Sequence, residues 1–185
     1  MKTKHPVTSS ILTVLFCMLV SLCSRPALAG TPLKEGDRAP DFTLRSQDGT
    51  PVTLSSEWKN SFIVLYFYPM DNTPGCTKQA CFFRDINSEY LQAGAKILGV
   101  SVDDVASHKK FAQKHNLNFT LLADPDKTVT ERYGVKSRLL LGKAKRVTFI
   151  IDKTGIIRKI YRDVDISIHS REVLKQIKKL QAKSR

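Results

Sequence analysis

Two cysteines, Cys76 and Cys81, stand five positions apart in the stretch "NTPGCTKQAC" (72–81). They are the residues best suited to chemistry in this chain. Such a pair can hold a metal, form a structural disulfide, act as a redox dithiol, or react with an oxidant and then resolve. Two thiolates alone do not complete a tetrahedral zinc site. His108, His115 and His169 lie far along the chain, where they read as surface or helix-end residues. A static disulfide meets a geometric obstacle. Five residues of regular helix turn through about 500° and rise about 7.5 Å, which leaves the Cα atoms roughly 8–9 Å apart. Bridging needs less than about 7 Å. Dithiol oxidoreductases of the Cys-x-x-Cys kind place two residues between their sulfurs, whereas here there are four.

The peroxide-reactive reading suits the local pattern. Thr73 is a suitable N-cap and Pro74 a suitable first helical residue, so Cys76 falls in the first turn. Free amides and the positive end of the helix dipole favour a thiolate there. The sulfenic acid left by an attack on an O–O bond condenses with a nearby thiol, and Cys81 is at hand once the turn unwinds. A thiol–disulfide oxidoreductase acting on proteins, and a secreted non-enzymatic domain with a structural disulfide, are the alternatives.

The elements that must position these cysteines follow from periodicity. "FIVLYFYP" (62–69) is apolar without alternation, as expected of a strand buried on both faces. A helix is expected from Thr73 to Gly94, with Ala80, Phe83, Asn87, Tyr90 and Leu91 facing inward. Further strands are expected at 95–102 and 119–124. Helices are expected from Asp103 or Asp104 to about His115, at 127–134 and near 168–181. A hairpin at 41–54 precedes this series, and a second, turning at Lys153-Thr154-Gly155, comes late in it. Strands alternating with helices indicate an α/β fold, a sheet covered by helices on both faces. The cysteines then sit at the sheet's carboxyl edge, where such folds place their sites.

The chain has 185 residues, 42% of them hydrophobic, consistent with one domain. Residues 1–29 differ from the rest. Lys2 and Lys4 open them, Ile11 to Leu22 is mainly apolar, and Ala27-Leu28-Ala29 offers a cleavage site before Gly30. This is the layout of a signal peptide, bacterial in style, and it places residues 30–185 in the periplasm after a cut following Ala29. The apolar run is shorter than the about 20 residues of a membrane span. Cys23 raises lipid attachment, but Leu22 before it is bulkier than that signal tolerates. Cleavage removes Cys17, Cys23, three cations and no acid, so the net charge falls from +13 to +10. The remaining cations are scattered and no aromatic ladder accompanies them, so no nucleic-acid partner is expected.

Beyond these local readings, "YPMDNTPGCTKQAC" (68–81) resembles the active-site motif of the peroxiredoxins, and its Cys-x4-Cys spacing resembles the bacterioferritin-comigratory protein/PrxQ branch. "GDRAPDFTL" (36–44), "ILGVSVDD" (97–104), "LLADPD" (121–126), "RYGV" (132–135), "RVTFIID" (146–152) and "HSREVL" (169–174) resemble that branch in the same order. The resemblance implies a thioredoxin-like fold, a central mixed sheet flanked by helices with an N-terminal hairpin. It implies a thiol peroxidase acting on hydrogen peroxide and organic hydroperoxides without cofactor or metal. In that pattern Cys76 is the peroxidatic and Cys81 the resolving cysteine. Pro69 and Thr73 complete the Pro-x3-Thr-x2-Cys loop, Thr73 hydrogen-bonding the sulfur and the bound peroxide, and Arg146 is the arginine that favours the thiolate and polarises the peroxide. A thioredoxin-like protein is the implied reductant, and a monomer is expected. Gln79 stands where the family usually has Glu. Residues 136–145, "KSRLLLGKAK", follow the pattern only loosely.

Overall fold

The computed structural model describes residues 32–183; the expected leader, 1–29, lies outside them. Seven strands run in chain order as β1 (Thr43–Ser46), β2 (Pro51–Thr53), β3 (Phe62–Phe67), β4 (Ala95–Ser101), β5 (Thr120–Ala123), β6 (Val147–Ile151) and β7 (Ile157–Tyr161). Six helices join them: α1 (Leu54–Glu57), α2 (Pro74–Asp85), α3 (Asn87–Gln92), α4 (Val105–Lys114), α5 (Thr128–Arg132) and α6 (Ile166–Lys183). The strands form one sheet in the order β2-β1-β5-β4-β3-β6-β7. β3, β4 and β5 are parallel; the two ends of the sheet are antiparallel. This is the mixed sheet with an N-terminal hairpin that the resemblance implied.

β3 lies inside the sheet, between β4 and β6, and all six of its residues are buried. Because side chains alternate across a strand, it feeds two cores. Val64 and Tyr66 join Phe83 of α2, Tyr90 of α3, Phe111 of α4 and Val173, Leu174 and Ile177 of α6. Ile63, Leu65 and Phe67 meet Leu33, Leu54, Trp58, Val129 and Tyr133 on the other face. The long helices thus cover one face, while short helices and the N-terminal arm cover the other.

The single helix expected from Thr73 to Gly94 is two helices. It breaks at Ile86, whose φ and ψ of −118° and 15° leave the helical region. Contacts with a distant loop accompany the break. Asn118 Nδ2 donates to the Arg84 carbonyl (3.2 Å), Asn87 Nδ2 donates to the Asn118 carbonyl (2.8 Å), and Arg84 Nη1 donates to the His115 carbonyl (2.6 Å). The first of these occupies a backbone carbonyl that a continuous helix would use, and the other two tie helix side chains to carbonyls of the loop. Leu91, expected to face inward, is instead 57% exposed, because the break re-aims the second helix.

Two histidines also differ from expectation. His115 does end α4, but His108 and His169 are buried. His108 bridges Asp71 (Nδ1 to Oδ2, 2.9 Å) and the Leu122 carbonyl (Nε2, 3.2 Å). His169 points from the first turn of α6 towards Thr148 Oγ1 (2.9 Å), between the rings of Phe83 and Tyr161. His108 has a polar partner on each ring nitrogen, whereas His169 has one on Nε2 and none on Nδ1.

Candidate active site

β3 delivers the chain to a short loop, residues 68–73, that turns it into α2. Pro69, half-buried, follows the strand, and Asn72 adopts a left-handed φ of 57°, a conformation Asn tolerates better than most residues. The loop is pinned from below. Asp71, buried among polar partners, accepts from Tyr68 Oη (2.8 Å) and Ser107 Oγ (2.8 Å) besides facing His108, and its own amide donates to Asp103 Oδ2 (2.9 Å). Ser107 and His108 come from α4. Sequence reasoning missed this anchorage, because its members are spread over 40 positions.

Thr73 takes the N-cap position and Pro74 the first helical one, as their types indicate. The Thr73 hydroxyl, however, makes no capping bond. It donates to the Met70 carbonyl (3.1 Å) and not to the sulfur. The first amides of α2 therefore lack a side-chain acceptor, and helix geometry gives them no backbone one.

Cys76 is the third residue of α2 and only 2% exposed; Cys81 is partly exposed, and both are free thiols. Both lie within one unbroken helix, so the separation worked out above applies. Their sulfurs meet only if the first turn opens.

Arg146 arrives from the opposite side. β6 pairs antiparallel with β3, Phe67 opposite Val147. The residue before Val147 thus falls at the carboxyl end of β3, next to the loop. Arg146 Nη2 lies 3.4 Å from Cys76 Sγ, and Nη1 donates to Gln79 Oε1. The guanidinium is held as a fork between the sulfur and an amide one helical turn further on. Gln79 is 1% exposed, and its Nε2 has no partner. A carboxylate at this position would leave no such orphan donor. Lys143 Nζ reaches Met70 Sδ (3.1 Å) at the rim. Behind the site, burial foremost and then the Arg146 charge push the His169 imidazole down to about 4. Burial likewise raises Tyr66, under Cys76 in the same core, well above its ordinary value.

Of the residues singled out from sequence, Cys76, Thr73, Pro69 and Arg146 converge at the sheet's carboxyl edge. Cys81 is on the same helix, more than a turn away. Among the described residues no group of three His, Cys, Asp or Glu side chains is placed to hold a metal.

The family model for the AhpC/TSA family matches residues 35–160, which takes in the loop, both cysteines and Arg146. The chain belongs to the AhpC/TSA family. Within it, the chloroplastic peroxiredoxin Q of Triticum aestivum is 47% identical over 149 residues, covering 80% of this chain and 68% of that protein. A peroxiredoxin of the bcp type from Coxiella burnetii is 45% identical over 149 residues, covering 77% of this chain and 97% of its own length. Among solved structures, peroxidoxin BcpB from Mycobacterium tuberculosis has a TM-score of 0.75 at 36% identity, covering 80% of this chain and 98% of that one. The bacterioferritin comigratory protein of Xanthomonas campestris, studied for alkyl peroxide reduction, has a TM-score of 0.71 at 33% identity over 76% of this chain and 92% of its own. The AhpC/TSA sheet with its flanking helices is therefore the fold of this chain, and peroxiredoxins of the Q/bcp kind are its relatives.

Proposed function

We propose that this protein is a thiol peroxidase that reduces hydroperoxides through Cys76. One observation carries the reading: a guanidinium nitrogen 3.4 Å from a buried sulfur in the first turn of a helix. Amides and guanidinium together provide donors for an anionic sulfur and for the oxygens of a bound peroxide. Thr73, its proton committed to the Met70 carbonyl, keeps lone pairs able to accept from a peroxide O–H. Pro69 fixes the loop's exit from β3.

In the first step the Cys76 thiolate attacks the terminal oxygen of the hydroperoxide. An S–O bond forms, the O–O bond breaks, and the departing oxygen takes a proton to leave as water or an alcohol. Cys76 is left as a sulfenic acid. In the second, the first turn of α2 unwinds and the Cys81 thiolate attacks the Cys76 sulfur. The S–S bond forms, the S–O bond breaks and water leaves. An external dithiol, a thioredoxin-like protein, then supplies two electrons and restores both thiols.

The same proposal takes residues 1–29 as a leader removed after Ala29, puts the working protein in the periplasm, and has it act as a monomer. Purified protein should consume hydrogen peroxide in the presence of a dithiol, and Cys76→Ser should abolish this; retained activity in that variant overturns the reading. Mass spectrometry of the exported protein before and after one equivalent of peroxide reads the N-terminus and the Cys76–Cys81 disulfide together. An N-terminus other than Gly30 overturns the cleavage assignment alone.

A further inference from the structure

Residues 136–146, "KSRLLLGKAKR", hold three consecutive leucines, five cations and no acid. Apart from Arg146, none of this is explained by the chemistry above. Leu139 is 95% exposed, Leu140 41% and Leu141 86%. Scattered surface leucines are ordinary, but an adjacent trio at one loop tip marks an interaction site.

The exposure is built into the loop. Ser137 N donates to the Lys143 carbonyl (2.9 Å), Gly142 N to the Ser137 carbonyl (2.8 Å) and Lys143 N to the Leu140 carbonyl (2.9 Å). Lys136 pairs with Ala144 in an antiparallel bridge below the tip, and Leu141 and Gly142 turn the chain with φ of 52° and 82°. These bonds fix the leucines outward.

Cations surround them. Arg138 and Lys145 are exposed, and Lys127 Nζ lies beside Gly142, 3.1 Å from where a Cβ there would be. Lys136 is paired with Glu131. Protein interfaces favour aromatic residues and deplete Lys at their cores; this tip joins aliphatic side chains to neighbouring Arg138, Lys127 and Lys145. Apolar residues that enter the headgroup–acyl boundary, with basic residues facing anionic headgroups, are the marks of peripheral membrane attachment. Among the described residues no helix is long and apolar enough to cross a membrane.

We infer that the Leu139–Leu141 loop docks the protein on an anionic lipid surface, the leucines entering the boundary and Arg138, Lys127 and Lys145 facing phosphates. The loop's far end carries Lys143 against Met70 and leads into Arg146. Docking therefore brings the mouth of the Cys76 site to headgroup level, where hydroperoxides carried on lipid chains can reach it. That consequence rests on the peroxidase reading, whereas the docking does not.

The test uses residues 30–185, which contain every element of the fold and both cores, sedimented with vesicles of phosphatidylcholine alone or with about 30% phosphatidylglycerol. Binding is expected only to the anionic vesicles. It should weaken about tenfold or more in the Leu139→Ser/Leu141→Ser variant, and fall steeply in roughly 0.5 M salt. In Leu140→Trp, emission should shift blue on binding, since Trp58, the single native tryptophan, is 4% exposed and reports little. Failure of the wild type to bind anionic vesicles overturns the inference, as does equal binding by the double variant. If vesicles are ignored and the double variant loses turnover with a protein dithiol but not with dithiothreitol, the loop serves a protein and the inference falls. Peroxide consumption with dithiothreitol is read on the same preparations. Its absence overturns the peroxidase reading and leaves the docking result standing.

Discussion

Replacing Arg146 with lysine keeps the charge and destroys the fork. In the native site one guanidinium reaches Cys76 Sγ at 3.4 Å with Nη2 while Nη1 is held by Gln79. An ammonium is a single point on a flexible stem and can serve the sulfur or the amide, not both in fixed geometry. A hydrogen bond to a charged group contributes about 1.5–3 kcal/mol. If it strengthens as charge shifts in the attack, its loss slows Cys76 oxidation roughly ten- to a hundredfold, at about 1.4 kcal/mol per factor of ten. Arg146→Ala should lose at least as much, since the charge goes too. The assay is single-turnover oxidation of reduced protein by excess peroxide, acid-quenched and read by mass, with urea midpoints to exclude unfolding. Gln79 supplies an internal check. If it works by aiming the guanidinium, Gln79→Ala slows the native enzyme several-fold but has almost no effect in the Arg146→Ala background. An Arg146→Lys rate within about twofold of native, in a protein of native stability, refutes the fork's role.

Other consequences are more quickly checked. Cys81→Ser should accept one equivalent of peroxide and stall with one added oxygen on Cys76; an unimpaired steady-state rate with a dithiol protein would reassign the resolving role. His169 is held neutral, down to about 4 from an ordinary 6.5. Its contribution is fully present above 6.5 and is lost as the pH falls towards 4, by about 3 kcal/mol across that window. Urea melts at pH 7.5 and 4.5 should show a smaller acid loss in His169→Gln than in native protein, and equal losses would assign the acid sensitivity elsewhere. Gly99→Ala places a Cβ 2.8 Å from the ring of Tyr66, which is clamped by the rings of Tyr68 and Phe83. Overpacking of this kind costs about 1–3 kcal/mol; an unchanged urea midpoint would mean that the ring yields freely.

What could be read from sequence was what is local. The unalternating run of β3 announced a strand buried on both faces, and Pro69, Thr73 and Cys76 share one short segment whose spacing implies a loop entering a helix. Arg146 is 70 positions from Cys76, and nothing in its own neighbourhood marks it; only family resemblance picked it out, and the antiparallel pairing of β6 with β3 gives the physical reason it belongs. The break at Ile86 was hidden because the loop bonded to it, at residues 115–118, lies about thirty positions away in sequence. His108 and His169 looked like surface residues because a helical histidine carries no sign of its partner, and Asp71 and Thr148 are supplied by other elements. Gln79 was noticed as a departure from the family, but its unpaired Nε2 appears only once its burial is known.

The starts of α2 and α4 show why the site can both hold its sulfur and release it. α4 is closed in the ordinary way: Asp104 accepts from Ser107 N at 2.8 Å, a cap whose loss costs about 1 kcal/mol. α2 has a residue able to do the same, yet Thr73 is turned to Met70. Two things follow from that one rotamer. The first amides of α2 remain available to an anionic sulfur or a peroxide oxygen. The first turn also lacks the side-chain cap that would resist its unwinding, so beyond the helix's own backbone bonds, Thr77 N to the Thr73 carbonyl (2.9 Å) among them, it is held by the burial of Cys76 and the Arg146 contact to its sulfur. Oxidation changes both, since a sulfenic acid is larger and uncharged and gives the guanidinium less reason to stay. The event that spends the thiolate thereby loosens the turn that kept it from Cys81. A cap engineered into α2, through Thr73→Asp, should test this: it would compete for the same amides, slow the first step by repelling a thiolate, and delay disulfide formation in rapid-quench mass analysis. If disulfide formation kept its native rate with the capping bond in place, opening of the first turn would not be the step that brings the two sulfurs together.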